Sequence, residues 1–284
     1  MAQLIQMRQR IKAVQTIKKV THAMRLISMS SHAKLRNKRT FIEKYKEELT
    51  LLLSKIKTET PDWQNKILFP NNATDRNLAI FVGSQKGLCG NFNLSAFAFF
   101  AKEIHNNPTK NLEIISIGKN AFNLIQHEHG KLIKSYNQFT ANNLENIANE
   151  IANLIWNQEI SYNSVTVYSN TPITFFAQKP ISNKLIPFDS QEWGVEKTQQ
   201  QEDYIWMETK EDLLNDLGFK CLKINLQLLF FKSLLAEQAA RFISMDGATR
   251  NANKLLDTMQ LQYNKLRQTK ITKELAELTG GFIR

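Results

Sequence analysis

The placement of helix breakers constrains this 284-residue chain more than any other feature. The first 60 residues contain neither Pro nor Gly, and the first Gly is Gly83. All six prolines fall between Pro61 and Pro187, and between Phe219 and Thr279 the only Gly is Gly247. Pro costs about 3 kcal/mol in a helix interior and Gly about 1 kcal/mol. The two ends therefore read as long helices and the middle as a loop-bearing globular domain. Apolar residues at both ends step by three or four, as one face of a helix requires. Met7, Ile11, Val14, Ile17, Val20, Met24 and Ile27 form one row, and Phe41, Tyr45, Leu49, Leu52 and Ile56 a second. Leu228, Phe231, Leu235, Ala239, Phe242 and Met245 form a third, continued by Ala252, Leu255, Met259, Tyr263 and Leu266. A helix of about 55 residues reaches roughly 80 Å, more than a globule of this size needs. Such a stripe must be buried somewhere, and the other end of the chain offers a matching one. The expected architecture is α/β with a long antiparallel coiled coil.

The middle alternates between strand and helix signals. Leu78 to Val82 is a short apolar run closed by Gly83, and Leu112 to Ile117 is another stopped by Gly118. Helices are predicted over 93–105 and 142–159, and further strands over 162–168 and 173–177. This order predicts a small, Rossmann-like α/β domain with a mostly parallel sheet. Residues 190–203 are polar and acidic and read as an exposed loop. The expected organisation is an N-terminal coiled-coil helix over 1–60, the α/β domain over 61–203 inserted after it, and a C-terminal coiled-coil helix over 204–284.

Composition removes several classes. Cys89 and Cys221 are too few for a disulfide framework or a cysteine zinc cluster, and they fit a reducing compartment. The longest apolar runs, such as 96–101, fall far below the roughly 18 residues that suggest a membrane span. A soluble or peripheral chain with no transmembrane segment is expected. The net charge is +11 and is concentrated at the start: residues 1–57 carry +11, 58–207 carry −3 and 208–284 carry +3. Ten basic residues precede the first acid, Glu43. Such a face attracts nucleic acid, anionic lipid or an acidic protein surface, or is simply solvated. A transit peptide is also basic and acid-poor, but here the stripe runs unbroken to Ile56. No aromatic residue is interleaved before Phe41, and no nucleic-acid-binding fold accompanies the patch. A basic coiled-coil adaptor for nucleic acid remains the alternative reading.

The segment from Gly83 to Gly90 follows a strand and precedes a helix, but a phosphate loop needs Lys and Ser/Thr after its last Gly. Asn91 and Phe92 stand there instead, so a tight strand-to-helix turn is expected. Cys89 has no neighbouring His or acid to make it a nucleophile. His22, His32, His105, His127 and His129 have no metal-ligand spacing on one helix. No hydrolase, zincin or paired-carboxylate signature appears. No catalytic residue, cofactor or metal is expected on this chain.

Both ends resemble the gamma subunit of rotary F-type ATP synthase. The N-terminal match is Arg10-Ile11-Lys12, Val14, and Lys19-Val20-Thr21-His22-Ala23-Met24. The C-terminal match is Glu237 to Arg241, Met245, Ala248-Thr249, Asn251-Ala252, Tyr263-Asn264-Lys265, Arg267-Gln268, Ile271-Thr272, Glu274, Glu277 and Gly280-Gly281. Gly87-Leu88-Cys89-Gly90 with Asn93 resembles the family's turn. The chain departs from the family pattern at Gln85-Lys86, at Ser31, at Glu43-Lys44-Tyr45, at Met207-Glu208 and in its last three residues.

The resemblance implies a central rotor shaft that couples ion flow through a ring of c subunits to ATP synthesis or hydrolysis. Its terminal helices would penetrate a ring of three alpha and three beta subunits. Its α/β domain would meet the epsilon subunit and the c ring. The resemblance implies that Met24 lies near Arg241, Gln268 and Thr272 in a coupling region. Arg267 and Gln268 would face loops of the catalytic subunits, with Glu274 on the same coupling surface, and Tyr204 and Trp206 would lie toward the c ring and epsilon. From its charge, the basic N-terminal face with Lys18, Lys19 and Arg25 is expected to meet acidic loops of the beta subunits. It further implies a peripheral place on the cytoplasmic face of a bacterial inner membrane, with no nucleic acid among the partners.

Overall fold

The computed structural model describes residues 2–60, 62–70, 75–109, 111–126, 130–158, 161–188 and 209–281. Two long helices bracket the chain: α1 spans Ala2–Glu59 and the last helix, α5, spans Lys210–Gly281. Between them lie β1 (Arg76–Val82), α2 (Phe92–Asn106), β2 (Asn111–Ile117), α3 (Lys119–Ile125), β3 (Lys131–Tyr136), α4 (Leu144–Trp156), β4 (Ser164–Thr174) and β5 (Ala177–Ile186). The five strands form one sheet in the order β3-β2-β1-β4-β5. The pairs β1–β2, β1–β4 and β2–β3 are parallel, and β4–β5 is antiparallel. The protein is thus a mixed α/β sheet with long N- and C-terminal helices.

Contacts divide the chain into two compact units. One comprises residues 1–29 and 241–284, the other residues 30–240.

In the larger unit the strand period of two sorts the apolar run Leu78 to Val82 onto both faces of the sheet. Leu78, Ile80 and Val82 pack with Ile147 and Ile151 of α4 and with Leu222, Leu226 and Phe230 of α5. Ala79 and Phe81 pack on the opposite face with Ala96 and Phe100 of α2 and Ala121 and Ile125 of α3. A parallel strand covered on both sides must be apolar throughout, as β1 is. Leu49, Leu53 and Ile56 of α1 pack with Trp63, Leu68, Leu214 and Leu217. Lys210 meets Glu59 at 2.8 Å beside this cluster.

Several expectations shift. The expected strand at 162–168 falls largely in β4, whereas the one expected at 173–177 straddles the end of β4, the turn at Phe175-Phe176 and only the first residue of β5. β5 was masked in the sequence by its polar residues and Pro180, which are tolerated because it is an edge strand bonded only to β4. The short α3 and β3 carry too few residues for a periodicity signal and were not anticipated. On α1 the expected row is exposed at Phe41 and Tyr45 but inward at Leu49, Leu52 and Ile56, where Leu53 joins it. On α5, Leu255 is 49% exposed and Leu256 only 8%. The loop expected at 190–203 lies outside the described residues, as do His127 and His129.

Candidate functional site

Burial along α1 in the smaller unit recurs every seven residues. Met7 and Val14 are half-buried, and Thr21 and Ser28 are fully buried. A seven-residue period is the spacing of a helix that keeps one seam against another helix. The innermost positions are therefore hydroxyl side chains, not the apolar residues of the expected row, and Ile17, Val20 and Ile27 are exposed. On α5 the inward residues are Arg241, Met245, Thr249, Ala252 and Leu256, stepping by three or four.

Polar groups tie the two helices in this unit. The hydroxyls of Thr21 and Thr249 lie 2.9 Å apart, and both side chains are buried. Thr21 Oγ1 also lies 3.1 Å from the Lys18 carbonyl and Thr249 Oγ1 2.8 Å from the Met245 carbonyl, so one hydroxyl donates across the pair and the one that accepts donates to a carbonyl of its own helix. One turn further along α1, Arg25 Nη1 donates to Asp246 Oδ1 at 2.7 Å. The later residue of α1 meets the earlier residue of α5, so the segments run in opposite directions at this level. Arg250 approaches the other Asp246 oxygen at 3.1 Å, and Arg25 Nη2 lies 3.3 Å from His22 Nδ1. The hydrogen bond from Arg25 holds the Asp246 carboxyl below its usual range. Met24, beside this cluster, is half-buried, and Ser28 donates to its carbonyl at 2.9 Å.

The remaining anticipated coupling residues separate into two groups. Arg241 is buried near the Arg25–Asp246 level. Arg267, Gln268, Thr272 and Glu274 are exposed much further along α5. Gln268 is about 19 residues past Thr249, roughly 29 Å at the helical rise. Met24, level with the turn from Met245 to Thr249, therefore does not meet Gln268 or Thr272. Opposed helix directions send the start of α1, not Met24, toward that end of α5. Thr272 donates to the Gln268 carbonyl at 3.0 Å, and Glu274 pairs with Lys270 at 3.3 Å. Both contacts lie within α5, and every residue from 271 to 278 is exposed. Tyr204 and Trp206 lie outside the described residues.

The smaller unit also leaves a large set of apolar side chains in solvent. On α1 these include Ile5, Ile17, Val20, Leu26, Ile27 and Met29. On α5 they are Leu255, Leu261, Leu266, Ile271, Leu275 and Leu278. Single exposed leucines are ordinary, but this many on one helix pair mark a surface built to be covered.

In the larger unit, the turn from Gly83 to Gly90 spends its polar groups internally. Asn93 Oδ1 accepts from the Ser84 amide at 2.9 Å, and Asn93 and Asn120 each donate to Ser84 Oγ, at 2.8 and 3.0 Å. Leu88 and Gly90 adopt positive φ, 64° and 61°. Leu88 is thereby held out in solvent on a pinned turn while Cys89 is buried beneath it. Sequence reasoning singled out the Gly-Leu-Cys-Gly turn but missed Ser84 and Asn120, which are 36 residues apart and meet only in the fold.

The model of the ATP synthase family matches residues 3–283. The ATP synthase gamma chain of Rickettsia prowazekii is 30% identical over 292 residues, covering 99% of both chains. That of Christiangramia forsetii is 30% identical over 290 residues, covering 99% of this chain and 98% of its own. The chain belongs to the ATP synthase gamma-chain family. Solved structures carry the same fold at lower identity. A chain of the Euglena gracilis mitochondrial ATP synthase, from its OSCP/F1/c-ring assembly in rotational state 3, aligns with a TM-score of 0.63 at 15% identity. That alignment covers 99% of this chain and 94% of the other. A chain of the Tetrahymena thermophila mitochondrial ATP synthase central stalk and c ring aligns with a TM-score of 0.58 at 16% identity, covering 81% and 99%. Among the described residues of this gamma-chain family member, no helix is long and apolar enough to cross a membrane.

Proposed function

We propose that the chain is the central rotor shaft of an F-type ATP synthase, passing rotation between a c ring and a ring of three alpha and three beta subunits. Membership of the gamma-chain family is the starting point. The observation that carries the reading is the helix pair of residues 1–29 and 241–284, which leaves a dozen large apolar side chains uncovered. A shaft inside a sleeve of other subunits needs such a surface, because burial there is non-directional and resists rotation little. One asymmetric shaft cannot touch three equivalent beta subunits alike. Each is held in a different state, and turning the shaft changes which state each one holds.

In this reading α1 and α5 pair as an antiparallel coiled coil, supported by the Thr21–Thr249 and Arg25–Asp246 ties and by the seven-residue spacing of burial. The chain divides into a helix over 1–60, a Rossmann-like domain over 61–203 and a helix over 204–284. It carries no catalytic site and binds no cofactor or metal of its own. Met24, Arg241, Arg267, Gln268, Thr272 and Glu274 contribute to coupling with the alpha and beta ring. Tyr204 and Trp206 belong to the side that meets epsilon and the c ring. The complex sits on the cytoplasmic face of a bacterial inner membrane, with this chain peripheral to it.

Reconstitution tests the reading. ATP hydrolysis by the cognate alpha and beta subunits is measured with and without the chain. A 3:3:1 complex with sustained turnover is the expected result. Failure to form that complex, with turnover unchanged, would overturn it.

A further inference from the structure

The charge pattern of the N-terminal helix suggested that Arg25 faces acidic loops of a catalytic subunit. The geometry points to a different role: we propose that Arg25 is a positioning residue, clasping Asp246 so that, with the Thr21–Thr249 hydroxyl pair, it fixes the register of α1 against α5. The inference rests on the rotor reading and deepens it.

Four observations carry the clasp. The Arg25 guanidinium is already spent inside the chain, 2.7 Å from Asp246 across the helix pair, with both side chains mostly covered (28% and 22% exposed). Asp246 is gripped from both sides, by Arg25 on the opposite helix and by Arg250 on its own. The buried hydroxyl pair lies one turn away on both helices. The hydroxyl pair interrupts a seam whose flanking α5 positions Met245, Ala252 and Leu256 are apolar, and the ion pair closes over its edge.

The physical logic is that of polar groups in a helix seam. A seam of apolar side chains alone tolerates sliding by one turn, because every register buries similar area. A buried polar pair does not, since sliding leaves hydroxyls and charges without partners. Such a pair adds little net stability but penalises every other register. A shaft that carries torque needs this property. If α1 slid or unwound along α5, rotation at one end would be absorbed instead of transmitted. Arg25 then acts on coupling through Asp246, without touching a catalytic subunit.

The two roles for Arg25 predict different results from a charge exchange. The test uses the whole ATP synthase in inverted membrane vesicles and reads the ratio of ion pumping to ATP hydrolysis, with subunit content measured on the same vesicles. Arg25→Glu and Asp246→Lys should each lower that ratio at least threefold. Exchanging both charges, in an Arg250→Gln background so that the new cation at 246 meets no like charge one turn on, should restore more than half of the lost ratio. Arg250→Gln alone supplies the baseline. If a single reversal prevents assembly, the neutral pair Arg25→Gln and Asp246→Asn replaces it. In that series the double variant should be no worse than either single variant. Unchanged ratios in the single variants overturn the clasp. So does an exchange as poor as Arg25→Glu alone, which would return Arg25 to a contact with a partner subunit. If vesicles carrying the unaltered chain hydrolyse ATP without any pumping, the rotor reading itself fails, an outcome distinct from either of these.

Discussion

From Leu78 to Val82 the sheet-bearing unit buries every side chain, whereas from Leu255 to Leu278 α5 leaves five leucines in solvent. The residue types are alike and the surroundings differ. In residues 30–240 helices cover both faces of the sheet, so each apolar side chain finds neighbours within the chain. In residues 1–29 and 241–284 two helices share one narrow seam, and most of each helix surface has no partner in this chain. The first unit is stabilised by its own packing. The second leaves an apolar surface uncovered, which the proposed rotor role would place against other subunits. Substitutions of the same kind should therefore act on stability in one unit and on assembly or coupling in the other.

The largest effect is expected inside the sheet unit. Phe100 is fully buried and stacks edge-on against Tyr168 with ring centres 5.0 Å apart. Phe100→Ala should cost about 3–5 kcal/mol, read as a lowered denaturant midpoint of the isolated chain with an unchanged slope. A loss below about 1 kcal/mol would show that this unit is not tightly packed.

Glycine substitutions should split by unit. Gly118 has φ of +97°, and a Cβ there would come 2.6 Å from the Gly83 carbonyl oxygen, a backbone atom with little room to move. Gly118→Ala should cost about 1–3 kcal/mol in strain, seen as a fall in melting temperature. Gly247 lies in α5 with nothing within 4 Å of its virtual Cβ. Gly247→Ala should raise stability by about 0.5–1 kcal/mol. The opposite signs follow from backbone geometry alone, so equal effects would break the comparison.

Both helices were legible because Pro is absent from them and Gly is absent from α1 and sparse in α5, a signal that needs no knowledge of partners. β1 and β2 were legible because a doubly covered parallel strand must be apolar. The seam of the helix pair was not. Thr21 and Ser28 are its buried positions, and a search for apolar rows passes over hydroxyls, drifting onto the exposed Val20 and Ile27. The Arg25–Asp246 pair joins residues 221 positions apart, and nothing local announces it. The resemblance placed Met24 with Gln268, but the direction of helix pairing separates them. The Ser84–Asn120 bond escaped for the same reason as the ion pair: sequence distance hides contacts that the fold creates.

One group in each unit should also respond at opposite ends of the pH scale. Asp246, in the helix pair, is held below its usual range chiefly by the Arg25 hydrogen bond. Its contribution is present above the ordinary aspartate pKa and is lost as pH falls through the depressed folded value. Partial exposure to solvent keeps that contribution small. Burial pushes the Cys221 thiol, in the sheet unit, up to about 11. The unfolded chain ionises first, so that contribution is intact below the ordinary thiol pKa and declines as pH rises toward 11. Asp246→Asn should flatten only the acid limb of a stability–pH curve, and Cys221→Ala only the alkaline limb.

The smallest effect on the isolated chain is expected where the apolar surface is most exposed. Leu261 is 73% and Leu278 63% exposed, so neither loses a packed environment when shortened or made polar. Leu261→Ser and Leu278→Ser should each shift the stability of the isolated chain by no more than about 0.5 kcal/mol. In the proposed rotor the same two changes would place a hydroxyl against the alpha and beta ring. There they should weaken retention of the chain and reduce ATP hydrolysis. A double variant that destabilises the isolated chain would mean that these leucines pack within the chain after all. A double variant silent in both measurements would mean that the exposed stripe is solvated in the complex, and the contrast between the two units would lose its functional meaning.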